Sequence, residues 1–257
     1  MLAVLSLLLT LSAAPSMLAQ SYVGEVDVEL VLAVDVSRSM DEEEVRIQRE
    51  GYVAALRHPD FIHAVRGGLL GRIAISYFEW AGSVDQASIV EWQIIESTDD
   101  AESFALKLEA RPISTQRRTS ISAAIAEGAT QLVSNSFRGT RQVIDISGDG
   151  PNNVGQPVLE VRNKAVGAGI IINGLAIMLR PSGGALKLDD YYADCVIGGP
   201  GSFVVPVHQI ADFATAVRRK LVLEISGRTP APRVRQAANG EADCMAGERQ
   251  WQNFLDR

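Results

Sequence analysis

Residues 28–39, VELVLAVDVSRS, join a run of apolar residues to a short polar motif. A run of this kind predicts a parallel strand that is buried on both faces. Asp35 ends the run, and Ser37 and Ser39 follow it at alternate positions. The stretch therefore predicts a buried first strand that delivers one acid and two hydroxyls to an edge of a sheet.

The rest of the chain alternates between patterns typical of strands and of helices. Further strands are predicted at 72–80, 87–95, 141–147, 170–178 and 202–207, and helices at 42–57, 99–110, 120–135, 156–168 and 208–225. Only AGSVDQ separates the second strand from the third, which predicts an antiparallel hairpin. Pro206 keeps the last strand at an edge or near its end, because proline cannot donate to a sheet. The alternation predicts an α/β fold: a doubly wound, mostly parallel six-stranded sheet with one antiparallel edge strand and helices on both faces.

Oxygen-bearing side chains follow strands that are far apart in the chain. Asp35, Ser37 and Ser39 come after the first strand, Thr119 precedes a predicted helix, and Asp149 comes after the fourth strand. In such sheets ligands bind beyond the carboxyl ends of the strands, where the strand order reverses. These side chains offer hard oxygen atoms, which suit Mg²⁺, Mn²⁺ or Ca²⁺ better than zinc or copper. Since hydroxyls are neutral ligands, the ion would stay able to bind a carboxylate from outside.

Together these residues resemble the metal-ion-dependent adhesion site of von Willebrand factor A domains and integrin I domains. The chain is also similar to a group of uncharacterised exported bacterial proteins with this Rossmann-like fold. The resemblance implies that Ser37 and Ser39 bind the metal directly and that Asp35 acts through water. It further implies that Thr119 binds directly in some states and that Asp149 binds directly or through water. A Glu or Asp of a partner protein would complete the site.

The loop after the fourth strand departs from the family pattern. The family commonly has Thr-Asp-Gly there, whereas this chain has Ser-Gly-Asp-Gly at 147–150. The flexibility of Gly148 could move Asp149. Asp145, inside the apolar strand, is a rival ligand, and it needs a partner of some kind because burying an unpaired acid is costly. We take Asp149 as the ligand and keep Asp145 as the alternative.

A D-x-S-x-S motif also has an ordinary interpretation, because Asp and Ser occur in polar turns and at the starts of helices. Asp41 and Glu44 are placed to cap the helix that follows the motif. The motif alone therefore does not decide between a metal site and a capped turn. Its combination with Thr119 and Asp149, in this order on an α/β sheet, favours the metal site.

The first nineteen residues, MLAVLSLLLTLSAAPSMLA, contain no charged side chain. An apolar core followed by small residues predicts a signal peptide that is cleaved after Ala19, while an uncleaved membrane anchor is the alternative. The predicted organisation is a signal peptide at 1–19, a von Willebrand factor A-like domain at 24–226 and a C-terminal tail at 227–257. We expect a periplasmic or secreted protein with no membrane span after cleavage.

The two cysteines, Cys195 and Cys244, bear on the tail. In an exported protein an even pair of cysteines predicts a disulfide. This bond would tie the tail to the loop that holds Cys195. Two unpaired thiols are the alternative.

Charge and exposed side chains narrow the choice of partner. The formal net charge is −7, which argues against nucleic acid because phosphate contacts need Lys and Arg. Arg117 and Arg118 are interpreted either as a solvated surface pair or as a site for an acidic partner. Trp80 ends the second strand and is either an anchor for a partner or part of the core.

The motifs favour a binding domain over an enzyme. A hydrolase would need G-x-S-x-G after a strand, and the nearest candidate, Ser147, lacks the first glycine and an evident His partner. A phosphatase with an aspartyl nucleophile would need an aspartate where Ser37 stands. We therefore expect a divalent-metal-dependent adhesion-type domain that binds an acidic side chain of a partner protein, with no catalytic residues. The alternatives are an α/β hydrolase and a metal-free structural exported domain.

Overall fold

The structure, a computed structural model, describes residues 24–179, 187–228, 235–236 and 242–255. The signal peptide predicted at 1–19 lies outside the described residues. Among the described helices, none is long and apolar enough to cross a membrane.

Strands and helices alternate along most of the chain. The strands are β1 (Gly24–Asp35), β2 (Ile73–Trp80), β3 (Val84–Ile95), β4 (Phe137–Gly148), β5 (Ile171–Ile177), β6 (Phe203–Val207) and β7 (Arg235–Gln236). The helices are α1 (Glu42–Arg57), α2 (Pro59–Arg66), α3 (Thr98–Glu109), α4 (Ile121–Ser134), α5 (Val158–Gly167), α6 (Leu188–Tyr191), α7 (Phe213–Ser226) and α8 (Ala246–Leu255). A π-helical turn, Tyr192–Val196, follows α6, and a 3₁₀ turn, Ile210–Asp212, precedes α7.

One sheet contains all the strands of the described residues, in the order β3-β2-β1-β4-β5-β6-β7. β1 pairs in parallel with β2 and β4, and the parallel order continues through β5 and β6. β3 is antiparallel to β2, so the predicted hairpin and fold class are confirmed. The structure adds β7, which pairs antiparallel with Phe203 and Val204 at the other edge. Pro206 lies beyond these two residues, where β7 does not require a backbone donor.

β1 lies in the middle of the sheet and is buried from Val28 to Asp35, as its apolar run predicts. Successive side chains of a strand point to opposite faces. Leu30 and Leu32 therefore enter one core, with α1, α2, α3 and α7. Val31 and Ala33 enter the other, with α4, α5 and α6. Both faces are covered by helices, so the edge formed by the strand ends is the place where polar side chains can gather.

The predicted helices at 42–57, 99–110, 120–135 and 156–168 agree with α1, α3, α4 and α5 to within two residues, and other predictions need correction. α1 begins with a capping box in which the side chains of Asp41 and Glu44 accept each other's backbone N–H. The helix predicted at 208–225 begins as an α-helix only at Phe213. α2 was missed although Pro59 at its first turn is a typical start signal. Cys195 lies in the π-helical turn and not in a loop.

A buried ionic cluster fastens α7 to the sheet. The Lys220 ammonium lies 2.7 Å from Asp145 of β4 and 2.6 Å from Glu224, one turn further along α7. Glu224 also accepts a 3.0 Å hydrogen bond from Asn173 of β5. The three ionic side chains are at most 1% exposed. Lys220 is the partner that the buried Asp145 required.

We predict that Lys220→Met destabilises the protein by about 3–5 kcal/mol, because the buried Asp145 loses the cation that pairs with it. Urea denaturation of the purified protein measures this change in the free energy of unfolding. Lys164→Met, at an exposed position of α5, is the control and should change it by less than about 0.5 kcal/mol. Equal effects of the two substitutions would show that the cluster contributes nothing specific.

Glu224 should also make stability depend on pH. The pKa of the Glu224 carboxyl is raised from 4.5 to about 8. Burial is the largest cause and the nearby Asp145 is the second, while Lys220 opposes the rise. Between these values the folded protein holds a proton that the unfolded chain has released. The stabilising contribution of this group is therefore complete below 4.5 and is lost as the pH rises through about 8.

Glu224→Gln removes this titration. The free energy of unfolding of the wild type, relative to that of the variant, should fall as the pH rises from about 5 to about 8. Urea denaturation at several pH values tests this. A difference that stays constant, or one that grows with pH, would contradict the assignment.

Candidate functional site

Asp35 ends β1 as a fully buried carboxylate. Its Oδ1 accepts a 2.7 Å hydrogen bond from the backbone N–H of Ser37. Its Oδ2 has no hydrogen-bond partner among the described residues. Burial, and next the nearby Asp149, raise the pKa of Asp35 to about 8. The charged form of Asp35 is thus disfavoured in the protein without metal, and a bound cation would relieve that penalty.

A chain of short hydrogen bonds joins three of the predicted ligands. The Oγ atoms of Ser37 and Ser39 lie 2.8 Å apart. Ser39 Oγ also donates to Asp149 Oδ1 at 2.6 Å. Two loops that are 110 residues apart in sequence therefore bring their side-chain oxygens to one point, beside the buried Asp35.

Thr119 lies against the loop of Asp149. Its N–H donates to Asn153 Oδ1 at 2.9 Å, and its carbonyl accepts from the Asn153 N–H at 2.8 Å. A Cβ built on Gly150 would lie 4.0 Å from Thr119 Oγ1. The hydroxyl of Thr119 therefore faces the segment that carries Asp149, and the structure brings all five predicted residues to one edge.

Gly148 is required by close contact. A Cβ at this position would lie 2.9 Å from Asp35 Oδ2 and 2.6 Å from the hydroxyl of Tyr192. Both distances are shorter than real Cβ contacts allow. The Ser-Gly-Asp-Gly sequence is thus explained by the room that Asp35 needs, and its Asp149 still reaches Ser39.

Asp145 does not belong to this edge. Its Oδ1 is paired with Lys220, on the face of the sheet that α7 covers. Tyr52 of α1 also donates to it, at 3.5 Å. The rival ligand is part of the core cluster, whereas Asp149 lies beside the serines.

Two buried polar side chains contact the strand ends near the site. Neither was predicted from the sequence. Gln48 of α1 donates from Nε2 to the carbonyl of Asp35 at 2.7 Å. Arg49, the next residue, pairs with Glu79 at the end of β2 and donates to the carbonyls of Arg111 and Pro112. Both lie on the buried side of α1, so polar residues at core-facing helical positions were the available signal.

The remaining candidate residues differ in burial and in their contacts. Trp80 is fully buried, so the partner-anchor interpretation is wrong. Ser147 is buried as well, and its hydroxyl lies 3.4 Å from Gln48 Oε1. Arg117 and Arg118 are exposed. Cys195 and Cys244 are joined in a disulfide.

The described part of the tail lies near this edge. Glu248 of α8 accepts a 2.7 Å hydrogen bond from Asn152 Nδ2. The guanidinium carbon of Arg118 lies 4.3 Å from the ring centroid of Trp251. Arg118 has a φ of 72°, a left-handed conformation that is uncommon for residues with a side chain.

The donor set of the edge is hydroxyl-rich. It combines two carboxylates with three hydroxyls, all of them hard oxygen donors that fit a divalent ion such as Mg²⁺. Within the described ranges, no group of three or more His, Cys, Asp or Glu side chains is arranged to hold a metal. Any metal bound by these residues would therefore depend on neutral oxygens, and it would keep much of its attraction for an external anion.

Comparisons with known proteins find one matching family model. Residues 25–229 match the family described as "Protein of unknown function (DUF1194)". A search of the curated proteins finds no significant match.

Solved structures show where the fold recurs. The pilus adhesin SpaC from Lactobacillus rhamnosus GG is 12% identical with a TM-score of 0.60, over 79% of this chain and 31% of that one. The proximal thread matrix protein 1 of the mussel byssus, with its MIDAS motif occupied by zinc, is 12% identical with a TM-score of 0.55, over 81% and 49%. The von Willebrand factor type A protein from Catenulispora acidiphila is 12% identical with a TM-score of 0.53, over 78% and 43%. At such identities the likeness shows the fold alone, and the chain spans less than half of each of these proteins.

Proposed function

Because this chain belongs to the DUF1194 family and has the von Willebrand factor A fold, we propose that it is a divalent-cation-dependent protein-binding domain. The predicted resemblance is confirmed for the fold. One observation carries the proposal: the buried Oδ2 of Asp35, which has no hydrogen-bond partner among the described residues, lies at the edge where Ser37, Ser39 and Asp149 meet. An orphaned carboxylate oxygen beside further oxygen donors is stabilised by a cation.

The proposed ligands divide into two kinds. Ser37 and Ser39 would bind the ion directly, and Thr119 would join them in some states. Asp35 and Asp149 would hold it through water or, for Asp149, directly. A bound Mg²⁺ supplies a positive charge that attracts an anionic oxygen of a partner. The zinc in the byssus protein supports occupancy of such an edge by a divalent ion, while the all-oxygen donor set here favours Mg²⁺, Mn²⁺ or Ca²⁺.

The surface beside the site favours an acidic partner. Arg38 stands between the two serines, and its backbone N–H donates to the carbonyl of Gln116 at 2.8 Å. Ser37 and Gln116 therefore lie side by side, and Arg38, Arg117 and Arg118 near this bridge are exposed. These arginines stand out on a chain with a net charge of −7. We infer that the partner presents an Asp or Glu to the metal within an acidic segment.

Two features support export and a binding role. Disulfides persist in oxidising compartments, so the Cys195–Cys244 bond supports a periplasmic or secreted protein. The hydrolase interpretation depended on Ser147, whose hydroxyl is buried and close to Gln48 and is therefore poorly placed to attack a substrate. The pilus adhesin and the byssus protein share the fold and support a binding role.

We predict one binding site for Mg²⁺ or Mn²⁺ that Ser37→Ala/Ser39→Ala abolishes, because both direct hydroxyl ligands are removed. Isothermal titration calorimetry on the metal-stripped protein measures the stoichiometry and Kd. Ser134→Ala, at an exposed position of α4 far from the edge, is the matched control and should bind like the wild type. A wild type that gives neither heat nor a thermal shift with either ion would mean that the domain is structural and does not load metal.

A second prediction concerns the acidic partner. A labelled hexaglutamate peptide should bind in the presence of Mg²⁺ and be released by a chelator, whereas hexaglutamine should not bind. Arg38→Gln/Arg117→Gln should weaken hexaglutamate binding about threefold to tenfold and reduce its dependence on salt, because two exposed charge pairs are lost. Fluorescence anisotropy at low and high salt gives both quantities.

The control for this experiment removes the same amount of charge elsewhere. Arg66→Gln/Lys164→Gln changes exposed residues in the last turns of α2 and α5, which lead to the opposite edge of the sheet. It should leave hexaglutamate binding unchanged. Equal losses of hexaglutamate affinity in the two double variants would show that Arg38 and Arg117 act only through the overall charge and are not part of the binding surface.

A further inference from the structure

We propose that helix α8 stabilises the metal edge, which is the end of the sheet where the five proposed ligands lie. Trp251 is a positioning residue for Thr119. The helix lies beyond residues 25–229, which match the family, and it contributes none of the five proposed ligands. It contacts both of the loops that carry Thr119 and Asp149. The inference rests on the proposed metal site for its meaning, but its geometry can be tested without metal.

The chain just before α8 is fixed at two neighbouring points. The Cys195–Cys244 disulfide joins it to the buried π-helical turn after α6. The N–H of Ala242 donates to Asp194 Oδ2, in the same turn, at 2.8 Å. Because α8 begins at Ala246, this anchor fixes the start of the helix beside the edge.

α8 then meets the loop that follows Asp149. Asn152 is fully buried, and its Oδ1 accepts the N–H of Ser122 at the start of α4 at 3.0 Å. Its Nδ2 donates to Glu248 of α8 at 2.7 Å. Gly247 packs so closely on the carbonyl of Asn152 that a Cβ there would clash with it. The backbone of α8 is therefore in direct contact with this loop.

The same helix holds the loop that precedes α4. The ring of Trp251 stacks against the Arg118 guanidinium at 4.3 Å, in the range of a cation–π contact. Arg118 has the left-handed backbone conformation, with a φ of 72°, which such residues adopt when their surroundings hold them there. The contact falls on the residue directly before Thr119.

The two contacts converge because the loops are bonded to each other. Thr119 exchanges backbone and side-chain hydrogen bonds with Asn153. α8 contacts the residue before each of them, Arg118 and Asn152. Fixing both neighbours limits the separation of Thr119 from the Asp149 loop. Trp251 thereby acts on the metal edge through Arg118.

The test uses a substitution after which Thr119 no longer needs the contact between Trp251 and Arg118. Trp251→Ala should weaken Mg²⁺ or Mn²⁺ binding about twofold to fivefold, because the cation–π contact is lost. Arg118→Gly should bind nearly as well as the wild type, since glycine adopts a positive φ without strain. Arg118→Gly/Trp251→Ala should then bind metal better than Trp251→Ala alone. If the double variant binds metal as weakly as Trp251→Ala, the proposal is overturned and Trp251 has only a general stabilising role.

A second measurement separates this proposal from the metal site itself. In metal-free protein, Trp251→Ala should speed hydrogen–deuterium exchange at the Thr119 and Asn153 amides, whose hydrogen bonds join the loops. Gln252→Ala, at an exposed position next along α8, is the matched control and should leave both rates unchanged. If Trp251→Ala exchanges faster but the wild type binds no metal, the proposed function is contradicted and the role of α8 in holding the loops is supported. Unchanged exchange in Trp251→Ala would overturn that role whatever the metal does.

Discussion

The Asp35 carboxylate has no exposed surface, and one of its oxygens has no partner in the described part of the chain. A buried charge of this kind costs several kcal/mol unless something compensates it. The surroundings are arranged around that cost: the N–H of Ser37 bonds one oxygen, and Gly148 leaves room beside the other. Asp149 brings a second negative charge to the same point. Two acids drawn together without a cation are unfavourable, so the arrangement makes physical sense as one half of an ion site.

The alternation of β4 explains why two acids of one strand and its loop have different roles. Val143 and Asp145 share a face because residues two apart point the same way. That face is covered by α7, and Lys220 supplies the opposite charge from within the protein. Asp149 comes after the strand has ended, and its described neighbours include the hydroxyl of Ser39. The first acid is neutralised by Lys220 within the core, whereas the second lies at the edge where we propose that a cation binds.

Much of the fold could be predicted because its signals are local. The apolar run of β1, the short AGSVDQ hairpin and the order of the polar motifs follow from neighbouring residues. Bringing Asp35, Ser37 and Ser39 to the same edge as Asp149 needed only the rule that parallel strands end together. The missed features depend on pairs that no local pattern reveals. Lys220 and Asp145 lie on α7 and β4. The choice between a core position and a partner anchor for Trp80, which the sequence left open, depends on the helices that cover β2. The positive φ of Arg118 likewise has no sequence signal, since arginine rarely adopts it.

In the proposed arrangement, the tail contributes no ligand but affects how firmly the ligands are held. A metal edge made mostly of neutral hydroxyls gains little from each ligand, so its affinity depends on how well the oxygens are held before the ion arrives. Thr119 and Asp149 sit on separate loops, and loops are the mobile part of such sheets. A disulfide-anchored helix that contacts both loops would lower the entropy that they lose in the proposed binding of an ion. The identity of the donors decides which ion fits, whereas the stiffness of their support decides how tightly it is held, and in this chain the two requirements fall on different parts of the sequence.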